Sequence, residues 1–172
     1  MFIETERLQL REMMDADFDA LYAIFSDPET MQHYPGAFDK EKVENWIARN
    51  RERYRNDGFG LWAVVLKSTS EVIGDCGITM QRIHGKMLPE IGYHIRKDLW
   101  RKGFGSEAAS ACIRYAFEVL ELPAVYSYMK HTNVASFSTA IKNGMRFIEE
   151  YDDPVNIKTR VYAITREEWL QK

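Results

Sequence analysis

A short segment of the chain joins two basic residues to a Gly-x-Gly pattern at the predicted start of a helix. It reads DLWRKGFGSEAAS and spans residues 98–110. The first backbone N–H groups of a helix lack acceptors within the helix and carry the positive end of its dipole. Glycines let the backbone approach a ligand closely, and basic side chains add positive charge. The segment therefore predicts a phosphate or pyrophosphate site formed by Arg101, Lys102, Gly103, Phe104, Gly105 and Ser106.

Two nucleotide-binding motifs fit this segment poorly. GFGSEA matches the pattern G-x-G-x-x-A of dinucleotide-binding folds, but KDLWRK separates it from the preceding strand. The next predicted strand ends in Lys130 and His131, where a dinucleotide fold places an acidic residue. The Walker pattern is absent from the sequence. A nucleotide-binding oxidoreductase is therefore the weakest of the alternatives.

Candidate proton acceptors lie on the strand that precedes the glycine segment. In PEIGYHIR, residues 89–96, the alternation places Glu90 and His94 on one face of the strand. A carboxylate or an imidazole there could take a proton from an amine. A lone histidine is more often structural, so Glu90 is the preferred base and His94 the competing one. No cluster of His, Cys and acidic residues has the spacing of a metal site.

The elements that must position these residues follow from hydrophobic periodicity and turn signals. Strands are predicted at 7–12, 60–67, 72–82, 89–96, 124–130, 146–151 and 158–164. Helices are predicted at 15–25, 39–56, 103–121 and 133–143, with a terminal helical turn from Thr165. The order β-αα-βββ-α-β-α-ββ is that of a mixed α/β sheet with helices on its faces. Without linkers or repeats, residues 1–172 are predicted to form a single domain.

Composition restricts the class of protein. The chain has 172 residues, 45% of them apolar and 28% charged, and a net charge of −3, which argues against a general nucleic-acid binder. Cys76 and Cys112 form no CxxC pair and are expected to be buried free thiols in a reducing compartment. The N-terminal segment does not resemble a signal peptide, and no apolar run is long enough to span a membrane. The expected location is cytoplasmic.

Two longer segments carry a resemblance to a known family. EIGYHIRKDLWRKGFGSEA, followed by HTNVASFSTAIKNGMRF, resembles the GNAT superfamily of acyl-CoA-dependent N-acyltransferases, and within it the RimJ/RimL-type branch. The opening TERLQLREMMDADFDALYAIFSDPE is similar to the start of that branch. The resemblance implies a mixed, mostly antiparallel central sheet with helices on both faces. It also implies acetyl-CoA as co-substrate, no metal, and transfer of acetyl to a primary amine by direct attack on the thioester.

The resemblance assigns several residues to the coenzyme. The backbone N–H groups from Arg101 to Ser106 would bind its pyrophosphate, although Trp100 replaces the Arg or Gln usual in the family. The pantetheine arm would lie beside the preceding strand like an added strand, with backbone contacts near His94 and Ile95. Asn133 matches the family's Asn that contacts the pantetheine.

One position departs from the family pattern. Many members carry a Tyr, thought to protonate the leaving thiolate, where this chain has Ala140. Ser136 matches a Ser common in the RimJ/RimL-type branch, so Glu90 and Ser136 are the predicted catalytic residues. The missing Tyr favours an alternative, a non-catalytic acyl-CoA-binding or regulatory module, whereas the intact glycine loop opposes it.

The acceptor is left open by the sequence. A protein N-terminus, a polyamine, an aminoglycoside or another small amine all fit the resemblance. His33 and Tyr34 lie between the first two predicted helices, where acceptors commonly enter in this family. Dimers are also common in the family, so a homodimer is one expectation.

Overall fold

The computed structural model describes residues 2–172 and contains eight strands and five α-helices over that range. The strands are β1 (Phe2–Glu4), β2 (Leu8–Arg11), β3 (Leu61–Leu66), β4 (Glu71–Ile83), β5 (Lys86–Ile95), β6 (Ala124–Lys130), β7 (Arg146–Asp153) and β8 (Ile157–Thr165). The helices are α1 (Phe18–Phe25), α2 (Lys40–Asn56), α3 (Phe104–Glu118), α4 (Val134–Lys142) and α5 (Arg166–Leu170).

All eight strands belong to one sheet in the order β1-β2-β3-β4-β5-β6-β8-β7. Every neighbouring pair is antiparallel except β5 and β6, which are parallel. The prediction of a mixed, mostly antiparallel sheet is confirmed. The single strand predicted at 7–12 was incomplete, because the chain forms a hairpin in which Phe2 pairs with Arg11. The hairpin turn is closed by the Thr5 N–H, which donates to the Leu8 carbonyl over 2.9 Å.

Helices cover both faces of the sheet, as predicted. On one face, α1 and α2 bury an apolar cluster that includes Leu21, Phe25, Val43 and Ile47. These residues recur at helical spacing, so each helix buries one stripe and leaves its polar side in water. No helix of residues 2–172 is long and apolar enough to cross a membrane.

The opposite face of the sheet is covered by α3 and α4. Their apolar cluster includes Ala108, Ala116 and Phe117 of α3, packed against the β-sheet. Both cysteines belong to it: Cys76 on β4 and Cys112 on α3 are free, buried and 3.6 Å apart at Sγ. The prediction of buried free thiols is confirmed, and burial raises the pKa of the Cys76 thiol.

The sheet opens between β5 and β6. Their parallel pairing is limited to Glu90 and Tyr126. Beyond that pair, the Ile91 carbonyl accepts a hydrogen bond from Ser127 Oγ (3.0 Å). The Ile95 carbonyl accepts one from Trp100 Nε1 (2.7 Å). The two strands therefore separate toward the end of β5 that leads into the glycine segment.

Candidate active site

The glycine segment forms a left-handed turn that ends at the N-terminus of α3. Gly103 caps the helix at φ +83° without any side-chain cap, and Arg101 also lies in the left-handed region, at φ +63°. Among residues 2–172, the backbone N–H groups from Arg101 to Ser106 find no acceptor. Successive free N–H groups in such a turn form a concave anion-binding nest, and the helix dipole adds to its positive potential.

An ion pair between Arg7 and Glu107, which are far apart in the chain, holds this loop in place. Glu107, in the first turn of α3, accepts from Arg7 Nε (2.7 Å), the Arg7 N–H (2.9 Å) and Thr5 Oγ1 (2.6 Å). Arg7 Nη1 also donates to the Lys102 carbonyl (2.9 Å), and its guanidinium lies 4.2 Å from the centre of the Phe104 ring. These contacts lower the pKa of Glu107, although burial opposes them. Arg7 therefore joins the first hairpin to the anion-binding loop, a role that the sequence analysis missed.

Gly105 has a packing reason of its own. A Cβ added there would lie 2.9 Å from the ring of Tyr93, which reaches across from β5. The Tyr93 hydroxyl is directed toward Ser136 and Thr139 of α4; burial raises its pKa, and these two side chains oppose the rise. Gly105 thus leaves room for the Tyr93 ring against the first turn of α3.

The backbone of β5 presents alternate residues to the gap. The Ile91 and Ile95 carbonyls face it, so Tyr93, which lies between them, faces it as well. The Arg96 N–H instead donates to Ile73 on β4 (2.8 Å), and a Cβ at Gly74 would overlap the His94 carbonyl oxygen. The expected coenzyme contacts with the backbone near His94 and Ile95 stay a prediction, and the directions of the two backbones differ. Ile95 and Tyr93 face the gap, whereas the His94 backbone faces β4.

Asn133 and Ser136 lie across the gap at the start of α4. The Asn133 Oδ1 accepts from the Ser136 N–H (3.2 Å), so Asn133 caps the helix. Its Nδ2 donates to no acceptor among the described residues, so it is available to a ligand. Ala140 is buried in the core and has no hydroxyl to offer, as the sequence indicates.

A cavity of about 460 Å³ lies beside the gap between β5 and β6. Its wall includes Glu90, His94, Asn133 and Ser136, so the structure brings these four predicted residues together. His33 and Tyr34 also line it, and entry of the acceptor on their side stays a prediction. The loop from Arg101 to Ser106 is not part of this wall and lies at the N-terminus of α3.

Glu90 is the main acidic group within the cavity. Burial raises its pKa to about 8, an effect opposed by a hydrogen bond with Thr79 and by the charge of Arg53, and reinforced by Asp75. Its carboxylate lies over Gly92, where an added Cβ would be 3.0 Å from Glu90 Oε2. Gly92 therefore leaves the room in which the carboxylate sits. A carboxyl group with this pKa can gain and lose a proton near neutral pH.

His94 belongs to a buried polar group of three residues. Asp75, which is fully buried, accepts from His94 Nδ1 (2.8 Å) and from Trp46 Nε1 (2.9 Å). The imidazole packs edge-on against Phe25, with ring centres 5.0 Å apart, and beside Tyr34 at 5.1 Å. His94 Nε2 is buried and has no hydrogen-bond partner within residues 2–172. Among those residues, no group of His, Cys and acidic side chains is arranged to hold a metal ion.

This arrangement, an opened sheet with an anion-binding loop beside it, matches a known enzyme family. The family model described as "Acetyltransferase (GNAT) domain" matches residues 7–146, so the chain belongs to the GNAT acetyltransferases. These enzymes transfer acetyl from acetyl-CoA to amine substrates. An uncharacterized N-acetyltransferase of Bacillus subtilis (strain 168), YoaA, is 31% identical over 175 residues, which cover 95% of this chain and 96% of YoaA.

Solved structures agree with this assignment. A GNAT-family acetyltransferase from Bacillus anthracis superposes with a TM-score of 0.83 at 27% identity, covering 98% of this chain and 100% of that chain. RimL, the ribosomal L7/L12 alpha-N-protein acetyltransferase solved in complex with coenzyme A, gives a TM-score of 0.82. It is 14% identical, with 98% of this chain and 99% of RimL covered. At that identity the likeness to RimL concerns the fold.

Proposed function

We propose that the protein transfers the acetyl group of acetyl-CoA to a primary amine by direct attack of the amine on the thioester. The observation that carries the proposal is the position of Glu90 in the cavity wall beside Tyr126, the last paired residue before β5 and β6 separate. An amine in the cavity and a thioester in the gap would then meet near Glu90. Holding two reactants together in this way contributes roughly 7–11 kcal/mol toward lowering the barrier.

The residues around the gap fit the parts of the coenzyme. The free N–H groups from Arg101 to Ser106, with the charges of Arg101 and Lys102, suit a pyrophosphate. The Tyr93 and Ile95 backbone and Asn133 Nδ2 suit the amide groups of a pantetheine arm. The coenzyme supplies the activated thioester, and the protein binds and orients it.

The amine must lose a proton before it attacks. A free alkylammonium has a pKa of about 10.4, so most of it is protonated at neutral pH. Glu90 takes this proton, directly or through a water molecule, and its raised pKa makes its conjugate acid weak enough to hold it. The new N–C bond forms as the C–S bond breaks, the nitrogen then loses a second proton, which leaves with the sulfur as the thiol, and Glu90 afterwards returns its own proton to solvent.

The leaving thiolate also receives a proton. Ser136 lines the cavity one helical turn before Ala140, the position of the family's usual tyrosine. Its hydroxyl holds or protonates the sulfur. The Tyr93 hydroxyl lies beside Ser136 and supports the same proton transfer.

The test is release of free thiol from acetyl-CoA with a panel of amines and peptides, with mass spectrometry of the acceptors. An increase in free thiol, together with an acceptor whose mass has increased by one acetyl group, supports the proposal. Tight binding of coenzyme A with no turnover on any acceptor would favour a non-catalytic acyl-CoA-binding module. NAD(P) binding without coenzyme A binding would reject both.

A further inference from the structure

The cavity beside Glu90 is lined by an excess of cationic side chains. Arg49, Arg53, Arg82 and Lys130 all contribute to its wall, on α2, β4 and β6. Glu90 and Asp153 are the carboxylates there. With a pKa of about 8, Glu90 is mostly protonated at neutral pH and offsets little of the positive charge.

None of the four cations has a carboxylate partner among residues 2–172. The Arg53 guanidinium donates to Asn50 Oδ1 (3.1 Å) and the Arg82 guanidinium to the Gly85 carbonyl (3.3 Å), both neutral acceptors. Asp153 is occupied by its own turn, accepting from the N–H groups of Val155 and Asn156 and from Thr159 Oγ1. The positive charge of the cavity is therefore left for a ligand.

The two arginines of α2 reinforce this conclusion. Arg49 and Arg53 are four residues apart, so they lie on the same face of the helix and repel each other. Burial lowers the pKa of Arg53, and the charge of Arg49 lowers it further. Like charges at this spacing destabilise a helix, and an anion bound between them would remove this repulsion.

We infer that the acceptor is a primary amine that also carries a carboxylate, bound with its amine toward Glu90 and its carboxylate toward Arg49 and Arg53. The inference rests on the proposed acetyl transfer and names the class of its acceptor. A polyamine or an aminoglycoside, with several positive charges, would be repelled by the same residues. Two sources fit the chemistry, a free acidic amino acid and a peptide with acidic residues near its N-terminus.

The experiment compares kcat/KM for acceptors matched in size. The probes are glutamate and its diamide, a tetrapeptide with glutamates at its second and third positions and its glutamine counterpart, and spermidine. We expect at least one acid to exceed its amide by about 10-fold, the value of one charge-assisted hydrogen bond of about 1.4 kcal/mol. Whether glutamate or the peptide is acetylated faster identifies the source.

Variants test the residues named. Arg49→Gln should raise KM for the preferred acid by about 10-fold and leave that of its amide unchanged, since only the acid uses the charge. Arg55→Gln is the matched control, an exposed arginine on the same helix that makes no ion pair and does not line the cavity. Arg53 is left intact because its charge also acts on Glu90.

Three results would overturn the inference. Spermidine could be the better acceptor, the acids and their amides could react equally well, or Arg49→Gln and Arg55→Gln could have equal effects. Each of these leaves acetyl transfer itself standing. Coenzyme A binding without acetylation of any amine would instead show that the proposed function is wrong.

Discussion

The carboxylate of Asp75 lies 2.8 Å from Nδ1 of His94, and this contact determines which imidazole nitrogen is free. A carboxylate accepts, so in the neutral ring Nδ1 carries the hydrogen and Nε2 is left as an acceptor. Asp75 is completely buried and also accepts from Trp46. The group therefore connects β4, β5 and α2 beneath the cavity.

Asp75→Asn is expected to destabilise the protein. An amide has only one oxygen, so its NH2 group would face either Trp46 Nε1, which donates, or His94 Nδ1, which accepts only in the tautomer that leaves a buried Nε2–H without a partner. Leaving a buried donor unsatisfied costs about 1–3 kcal/mol in the free energy of unfolding, which urea denaturation would measure. Asp15→Asn, at an exposed carboxylate paired with Arg51, should change it far less. Equal effects of the two variants would contradict the role assigned to Asp75.

Glu90→Gln is expected to change the pH profile of kcat/KM. In the wild type, activity should rise with pH as Glu90 loses its proton near pH 8. The variant should lack this rise, and its kcat/KM at neutral pH should be roughly 10²-fold or more below that of the wild type. Its deficit should grow as wild-type Glu90 ionises near pH 8 and should shrink only at still higher pH, where the free amine becomes abundant. A variant that keeps the wild-type profile would reject Glu90 as the base and direct attention to His94 or a water chain.

The same substitution should affect stability in a pH-dependent way. Because the folded-state pKa of Glu90 is raised from 4.5 to about 8, the folded protein binds more protons than the unfolded chain between these values. Stability of the wild type should therefore fall as pH rises through this window. The melting temperature of Glu90→Gln minus that of the wild type should therefore be larger at pH 9 than at pH 5. Glu44→Gln, at an exposed site on α2 without an ion pair, should show no such trend.

The anion-binding loop is best tested through its charges. A substitution such as Gly105→Asp would place a negative charge in the loop, but its side chain would also clash with the Tyr93 ring. A loss of coenzyme A binding in that variant could therefore come from disturbed packing. Replacing both Arg101 and Lys102 by Gln removes two exposed charges and retains the glycines. We expect coenzyme A affinity to fall about 10-fold by calorimetry, with the melting temperature of the free protein unchanged. An unchanged dissociation constant would mean that these side chains do not contact the phosphates.

Ser136→Ala should have a modest effect on turnover. A thiolate of pKa near about 8.5 is a good leaving group, so the hydroxyl matters more for orientation than for proton transfer. We expect kcat to fall roughly 10-fold, below most of the range of about 10²–10⁴ typical of general acids. Thr139→Ala, at the neighbouring hydroxyl on α4, serves as the comparison. A loss within the general-acid range would make Ser136 the principal proton donor.

Local sequence patterns predicted the loop and much of the strand chemistry. The free N–H groups at Arg101–Ser106 follow from glycine chemistry and helix geometry, and the shared face of Glu90 and His94 follows from strand alternation. The contact of Arg7 with Glu107 joins residues 100 positions apart, and no local pattern announces it. The orientation of the His94 backbone depends on which strand pairs with each edge of β5, which alternation alone does not reveal. The homodimer and the cytoplasmic location stay predictions.

Because β5 and β6 separate, one edge of β5 is hydrogen-bonded to β4 while the other faces the gap, so the amides on the two edges should exchange with solvent at different rates. Along β5, the amides of Gly92 and His94 face β4, whereas those of Tyr93 and Ile95 face the gap. In deuterated water, protection from exchange therefore alternates residue by residue within a single strand. In the proposed binding mode the coenzyme pairs with the open edge, so we expect its addition to remove this alternation. We also expect bound coenzyme to raise the free energy of unfolding, because it binds only the folded protein.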